Sequence, residues 1–473
     1  MFGVENPKFL LADQQGLGKT KEVIDLACYL KQEKHYKHCL IVCGVNGLKW
    51  NWKEEVLIHS DEKAHILGER TARNGNVRIK GLEEKLEDLD NLDDLPYFII
   101  TNIESLRLKR KTGKKIKKRS MGKVRYVDEY VYPLSDKLCT LCAAGEIPFI
   151  AADECHKMKN PESEQGIQFL RLQSENEVAM TGTPMMNSPL DLFIILKWLG
   201  IEDHSFWQFK SHFCILGGYG GREVVGYKNK HQLQKILDNI MLRRRKEDVL
   251  DLPDKVYLTE YVEMGPEQEK VYKAIHKETE SIIDLITQSV NPLSMLTRLR
   301  QATGYTGVLS STVKCSAKMD RLSSLVDEIV ENGEKAIVFS NWTSMTDEII
   351  NRLSEYNPLC ITGETKDEER QQIVKNFQEG DCKVIVGTIG AMGTGLTLTA
   401  ASNVIFLDEP WNRALREQAE DRAHRIGQKE TVNIYFLLTK GTIDERIHSI
   451  VEEKGELSDE IVDKAELVNY LLS

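Results

Sequence analysis

The chain carries nine short, unbroken apolar runs, each leaving into polar or glycine-rich sequence. Five come early: KFLLAD (8–13), CLIVCG (39–44), YFIIT (97–101), PFIAAD (148–153) and EVAMTGT (177–183). After a long gap come KAIVFSN (335–341), CKVIVGT (382–388), NVIFLD (403–408) and IYFLLT (434–439). Runs without polar alternation suit parallel strands covered on both faces. Helical patterns lie between them; Val23, Leu26, Ala27 and Leu30 fall on one helix face. Alternating strand and helix predicts doubly wound α/β layers, and two groups of strands predict two lobes. The expected lobes are residues 1–245 and 246–473, with helical insertions at about 190–240 and 264–312. Residues 190–330 read as helical, and Gly265-Pro266 opens one helix with Val271, Ile275, Ile282 and Leu285 at helical spacing.

Charge is distributed unevenly. The 473 residues hold 63 Lys+Arg and 73 Asp+Glu, a net charge of −10. With 41% hydrophobic and 29% charged residues the chain reads as globular, and no apolar run approaches the roughly 18 residues of a membrane helix. The start, MFGVENPKF, lacks the basic and apolar regions of a secretion signal, and the ten cysteines are irregularly spaced. An intracellular protein with reduced thiols is expected. Residues 82–95 (LEEKLEDLDNLDDL) are acidic and predict a solvated helix or loop. Residues 107–125 hold eleven Lys/Arg and no acid. Such a cluster in an acidic chain builds a local positive field, expected on a loop or hairpin of the first lobe. It nominates Lys114, Lys115, Lys117 and Lys118 as DNA-phosphate contacts; a solvated loop and a nuclear address are the alternatives. Cys139-Thr-Leu-Cys142 lacks the second ligand pair that zinc needs, and is read as two small apolar residues on a helix. His35, His38 and Cys39 are read as surface and strand-edge residues.

Two segments carry chemistry. Leu10-Leu11-Ala12 leads into DQQGLGKT (13–20) and then a helix, the setting of a phosphate-binding loop. Gly16 and Gly18 let backbone N–H groups close around phosphate, Lys19 reaches the β- and γ-phosphates, and Thr20 holds Mg²⁺. Asp13 stands where the general pattern has its first glycine. A second strand ends in Asp153-Glu154-Cys155-His156. There Asp153 is placed to hold Mg²⁺ through water, Glu154 to polarise the attacking water, and His156 to couple the site to the next strand.

The ordered motifs, over about residues 10–450, resemble superfamily-two helicases and specifically the Swi/Snf-type DNA translocases. LLADQQGLGKT (10–20), VCGVNGLKWNWKEE (42–55), DECHKMKN (153–160), MTGTPMMNSPLDLF (180–193), MLRRRKEDVLDLP (241–253), GTIGAMGTGLTLTAASNVIFLDEPWN (387–412) and QAEDRAHRIGQ (418–428) carry the resemblance. FCILGGYGGREVVGYKNKHQLQKIL (213–237) looks like the compact, annealing-helicase-like branch. The chain departs from the family pattern at Cys155, Asn341 and Thr397, and has no clear match to the adenine-reading Gln.

The resemblance implies two RecA-like lobes and ATP as substrate with Mg²⁺. It places Asp13, Gly16, Gly18, Lys19, Thr20 and Gly395 at the nucleotide, with Gln418, Arg422 and Arg425 facing the γ-phosphate. His156, Thr181 and Thr183 would couple nucleotide state to DNA. Lys49, Trp52, Asn102, Asn341, Trp342, Thr388, Trp411 and Asn412 would contact phosphates; Trp50 and the three named tryptophans are equally readable as core aromatics. The expected activity is ATP-driven translocation by a monomer on double-stranded DNA, with forked or single-stranded DNA as the alternative, in the cytoplasm of a bacterial cell or phage-infected host. A strand-separating helicase, a motor acting on RNA polymerase or another protein, and a non-catalytic scaffold are the alternatives; intact Lys19, Asp153, Glu154 and Arg425 argue against the last.

Overall fold

All nine apolar runs form strands, and the computed structural model assembles them into two parallel sheets. It describes every residue except 1, 73–76, 121–122, 159, 183, 185–187, 219–222, 284–291, 394 and 455–473. Of the expected positions, Thr183, Leu285 and the side chains of Lys118 and Ile282 lie outside the described residues. The chain divides into two compact units between Asp248 and Val249.

The first unit contains β1 (Lys8–Leu11), β2 (Cys39–Cys43), β3 (Ala64–Ile66), β4 (Phe98–Asn102), β5 (Arg110–Ser120), β6 (Lys123–Val131), β7 (Phe149–Asp153), β8 (Asn176–Met180) and β9 (Met241–Leu242). Seven of them form a parallel sheet in the order β9-β1-β8-β7-β2-β4-β3. Successive side chains point to opposite faces, which turns each apolar run into two half-cores. Phe9, Leu11, Ile41, Ile100 and Ala151 pack with Val23, Ala27 and Leu30 of α1 (Lys19–Lys34) and Val56 of α2 (Leu48–His59). Leu10, Leu40, Val42, Ile99 and Ile150 pack on the other face with Phe169 of α4 (Glu164–Arg171) and with Trp198. The acidic segment forms α3 (Leu82–Asp90), but it is not a solvated helix throughout, because Lys85 and Asp88 are buried. Asp88 accepts from the Gly68 N–H at 2.6 Å and Arg70 Nη1 at 2.7 Å. The basic run forms the antiparallel hairpin β5–β6, which pairs with no third strand among the described residues.

The second unit contains β10 (Lys255–Val262), β11 (Ala336–Ser340), β12 (Leu359–Ile361), β13 (Val384–Thr388), β14 (Asn403–Phe406) and β15 (Val432–Thr439). They form a second parallel sheet in the order β10-β15-β14-β11-β13-β12. Its helices include α5 (Pro292–Gly304), α6 (Arg413–Glu420) and α7 (Ile443–Lys454). Both units are α/β layers built on a parallel sheet, as the apolar runs predict.

Two parts of the helical reading of 190–330 are corrected. Cys214–Gly217 and Glu223–Tyr227 form an antiparallel pair, as the β-formers Val224, Val225 and Tyr227 allow. β10 is an edge strand paired along all eight residues with β15. Lys255 and Glu260 interrupt its apolar pattern, and Val256, Tyr257 and Tyr261 are exposed. Among the described residues no helix is long and apolar enough to cross a membrane.

Candidate active site

The register of the first sheet aligns the motifs. Leu11, Met180, Asp153, Cys43 and Asn102 lie in one row across β1, β8, β7, β2 and β4. The residues that follow them are delivered to the carboxyl edge, where open α/β sheets bind ligands. The phosphate loop turns through Gly16 (φ 82°) and Gly18 (φ 81°), left-handed conformations that favour glycine. Gly18 precedes α1, whose first N–H groups receive no side-chain cap; Lys19 and Thr20 open the helix. Uncapped N–H groups at a helix start form an anion site. The Lys19 ammonium donates to the carbonyls of Asp13 at 2.7 Å and Gln14 at 3.3 Å.

Asp13 is corrected as a nucleotide ligand. Its carboxylate is fully buried and accepts from the Arg244 N–H at 2.8 Å, from Nε at 2.9 Å and from Nη2. Arg244 also pairs with Glu22 of α1, and these carboxylates hold the guanidinium pKa above its ordinary value. Asp13 therefore clamps the strand-end segment 241–244 against the phosphate loop.

The acidic pair is held from three sides. Asp153 is 8% exposed, and the indole N–H of the fully buried Trp52 donates to its Oδ2 at 2.9 Å. Burial, with the charge of Glu154 beside it, pushes the Asp153 carboxyl up to about 6, while the Trp52 N–H and the Lys19 charge pull the other way. Glu154 sits at φ 49° and its N–H donates to Asp153 Oδ1 at 2.8 Å. Gln15 Nε2 donates to Glu154 Oε1 at 3.4 Å. His156 Nδ1 lies 3.1 Å from Glu154 Oε2 and 2.9 Å from Thr181 Oγ1, joining the ends of β7 and β8. Gly44, after β2, donates its N–H to the Asp153 carbonyl at 2.8 Å. A Cβ there would stand 2.5 Å from the Glu154 carbonyl oxygen.

In the second unit Gly395 (φ 71°) precedes Leu396, whose carbonyl accepts from Arg422 Nη1 at 3.1 Å and Arg425 Nη1 at 3.4 Å. Arg422 Nε also donates to the Gln418 carbonyl at 2.9 Å. Gly395, Gln418, Arg422 and Arg425 are thus neighbours. The Gln418 side chain is buried, and neither its nitrogen nor its oxygen has a hydrogen-bond partner among the described residues. A buried ionic network anchors α6, the helix that carries Gln418. Arg416 meets Glu409 at 2.7 Å, Glu420 at 3.4 Å and Glu452 of α7 at 2.7 Å. Lys255 of β10 meets Glu420 at 2.9 Å and Asp421 at 3.0 Å.

Several expected DNA contacts are corrected by burial, since a side chain without exposed surface does not meet a polynucleotide. Trp52 is fully buried on Asp153, Lys49 is 4% exposed, and Asn102 is 5% exposed. The Asn102 amide donates to Asn46 Oδ1 at 3.2 Å and Glu104 Oε2 at 2.6 Å. Trp342 and Trp411 are half-buried and flank the buried Arg300 of α5, whose guanidinium carbon lies 5.0 and 4.7 Å from their ring centres. Asn341 donates to Asp408, and Asn412 caps α6 through the Leu415 N–H at 3.1 Å. Thr388 ends β13. Lys114, Lys115 and Lys117 are exposed on β5. Cys139 and Cys142 lie on the helix Pro133–Ala143, where the Cys139 thiol donates to the Arg171 carbonyl at 3.3 Å. Sequence reasoning missed Gln15, Gly44, Arg244 and Arg300. Only Gly44 left a local signal, as a glycine directly after a buried strand.

The SNF2-related domain model matches residues 4–306, and the helicase conserved C-terminal domain model matches residues 317–427. The putative ATP-dependent helicase/translocase YwqA of Bacillus subtilis is 26% identical over 98% of this chain and 47% of its own length. An uncharacterized ATP-dependent helicase of Mycoplasma pneumoniae is 29% identical over 96% of this chain and 40% of its own. The DNA annealing helicase and endonuclease ZRANB3 of Mus musculus is 26% identical over 95% of this chain and 38% of its own. The chain spans less than half the length of these curated relatives.

Proposed function

The chain belongs to the SNF2-related family, and from that membership we propose that it is an ATP-hydrolysing motor that translocates on double-stranded DNA and remodels DNA or protein–DNA complexes. The observation that carries this reading is the first-unit site: an uncapped helix start behind Gly16, Gly18 and Lys19, on the same sheet edge as the buried Asp153 and the partly buried Glu154, which His156 ties to Thr181. The donor set fits a hard cation. Thr20 and Asp153 offer oxygens, and the Asp153 carboxyl, displaced upward by burial and by Glu154, gains most from a nearby positive charge. Those two residues would hold Mg²⁺, which supplies charge neutralisation for the phosphate oxygens when bound.

The chain's own groups would do the rest. Lys19 leaves the Asp13 and Gln14 carbonyls for the β- and γ-phosphate oxygens. Glu154 orients the attacking water and accepts its proton, held by Gln15 and by the His156–Thr181 link. Through that link, occupancy at the γ-phosphate would be felt at the end of β8, where His156 and Thr181 serve coupling. Arg422 and Arg425 would stabilise charge on the transferring phosphoryl group, with permanently charged planar guanidiniums suited to it. Gln418, with a buried side-chain amide that has no partner among the described residues, would meet the phosphate or its water. Lys114, Lys115 and Lys117 would contact DNA phosphates. If the hairpin engages about five phosphates, log affinity falls by about 0.9 per phosphate for each unit of log salt.

The test is ATP turnover alone, then with duplex DNA, single-stranded DNA and RNA, with Lys19→Ala as control. Stimulation by duplex that Lys19→Ala abolishes supports the double-strand motor. Stimulation by single strands or RNA alone refutes it in favour of a strand-separating helicase.

A further inference from the structure

The β5–β6 hairpin is a basic surface, yet its aromatic residues are not explained by phosphate contact. In an antiparallel pair, residues directly opposite share a face. Lys117 lies opposite Tyr126, Lys115 opposite Asp128, and Lys111 opposite Tyr130, so one face interleaves cations with two tyrosines. The root of the hairpin is engaged. Lys109 pairs with Glu164 at 2.6 Å, Arg110 with Glu83, and Lys111 with Asp128 at 2.6 Å. The Tyr130 ring takes the ammonium groups of Lys109 at 4.8 Å and Lys111 at 5.9 Å. Further out the pattern changes. Tyr126 is 67% exposed and has no ring or cation partner among the described residues. Lys114 and Lys117 make no ion pair with a described residue.

Charge alone would protect the open edges of a lone hairpin from pairing with another chain. A bare aromatic ring works against that purpose, so its exposure calls for a separate reason. An exposed ring beside unpaired lysines is the combination that holds single-stranded nucleic acid, by base stacking and phosphate attraction together. Bases inside a duplex are already stacked on one another and offer no free face. Only an unpaired nucleotide does.

We propose that Tyr126 is a stacking platform for an unpaired base, with Lys114 and Lys117 on the neighbouring phosphates, so that the hairpin selects duplex DNA adjoining a single strand over blunt duplex. The proposal rests on the DNA-motor reading above and narrows its substrate to forks, gaps and tails.

The experiment uses the full chain and measures the apparent KM for DNA in ATP turnover. Its two substrates are a blunt duplex and the same duplex carrying a single-stranded tail. The wild type is expected to favour the tailed substrate by roughly tenfold, the scale of one base stacked on an aromatic ring. Tyr126→Ala should bring the tailed KM up to the blunt value and leave the blunt value unchanged, which also shows that the fold is intact. Tyr126→Phe should keep the preference. Lys114→Ala with Lys117→Ala should raise both values together. A wild type without preference, or a Tyr126→Ala variant that retains it or shifts both substrates equally, overturns the proposal. Turnover that no DNA stimulates in the wild type overturns the motor reading itself.

Discussion

Replacing Trp52 by phenylalanine takes one donor away from Asp153 and leaves an aromatic ring in the core. The bond it breaks is buried at both ends, Nε1 to Oδ2 at 2.9 Å. A hydrogen bond to a charged group is worth about 1.5–3 kcal/mol. At about 1.4 kcal/mol per decade, the ratio of carboxylate to protonated acid at Asp153 falls roughly 10- to 100-fold. Partners that orient a metal ligand from behind have effects of this same order, roughly 10- to 100-fold in metal affinity or activity. The lost ring atoms add a small cavity costing about 1 kcal/mol, too little to unfold the unit. The assay is phosphate release across a Mg²⁺ titration, with and without duplex DNA. Trp52→Phe should lower turnover at limiting Mg²⁺, recover as Mg²⁺ rises, and leave the apparent KM for DNA near the wild-type value. The opposite pattern, an unchanged Mg²⁺ dependence with a raised KM for DNA, would refute the reasoning and return Trp52 to the polynucleotide track.

Gly44→Ala would place a Cβ 2.5 Å from the Glu154 carbonyl oxygen and 2.9 Å from that of Asp153, and neither backbone atom can swing away. It should cost about 1–3 kcal/mol in thermal unfolding and suppress turnover at saturating ATP and Mg²⁺. Arg416→Met would remove the guanidinium that Glu409 and Glu420 share in the core and leave Glu420 to Lys255 and Glu409 to His448, a loss of about 3 kcal/mol on urea denaturation of the second unit. Burial, reinforced by the charge of Lys49, pushes Lys85 down to about 8. Its unfolded value is about 10.4, so between those pH values the unfolded chain binds more protons and stability rises with pH. The penalty is fully present below about pH 8, and Lys85→Met should flatten that part of the stability profile measured by urea denaturation.

The sequence by itself determined what depends on neighbours a few residues away. Unbroken apolar runs dictate strands buried on both faces, and all nine are strands. The phosphate loop was legible because its glycines, Lys19 and Thr20 act within one turn of backbone, and the acidic pair because it ends a strand. Tertiary structure decided the contacts between segments far apart. Asp13 and Arg244 are 231 residues apart, and no local pattern announces that one buries its charge on the other. Trp52 follows helical spacing whether it faces DNA or the core; only the packing of α2 on the sheet turns its N–H toward Asp153. Trp342 and Trp411 read equally as DNA contacts or as core aromatics from the sequence; only the packing of α5 sets Arg300 between their rings. β10 escaped notice because an edge strand needs no continuous apolar run, only a partner. Periodicity records that a face is buried; which groups meet it is set by long-range packing, where burying an unpaired charge or donor costs more than any local preference.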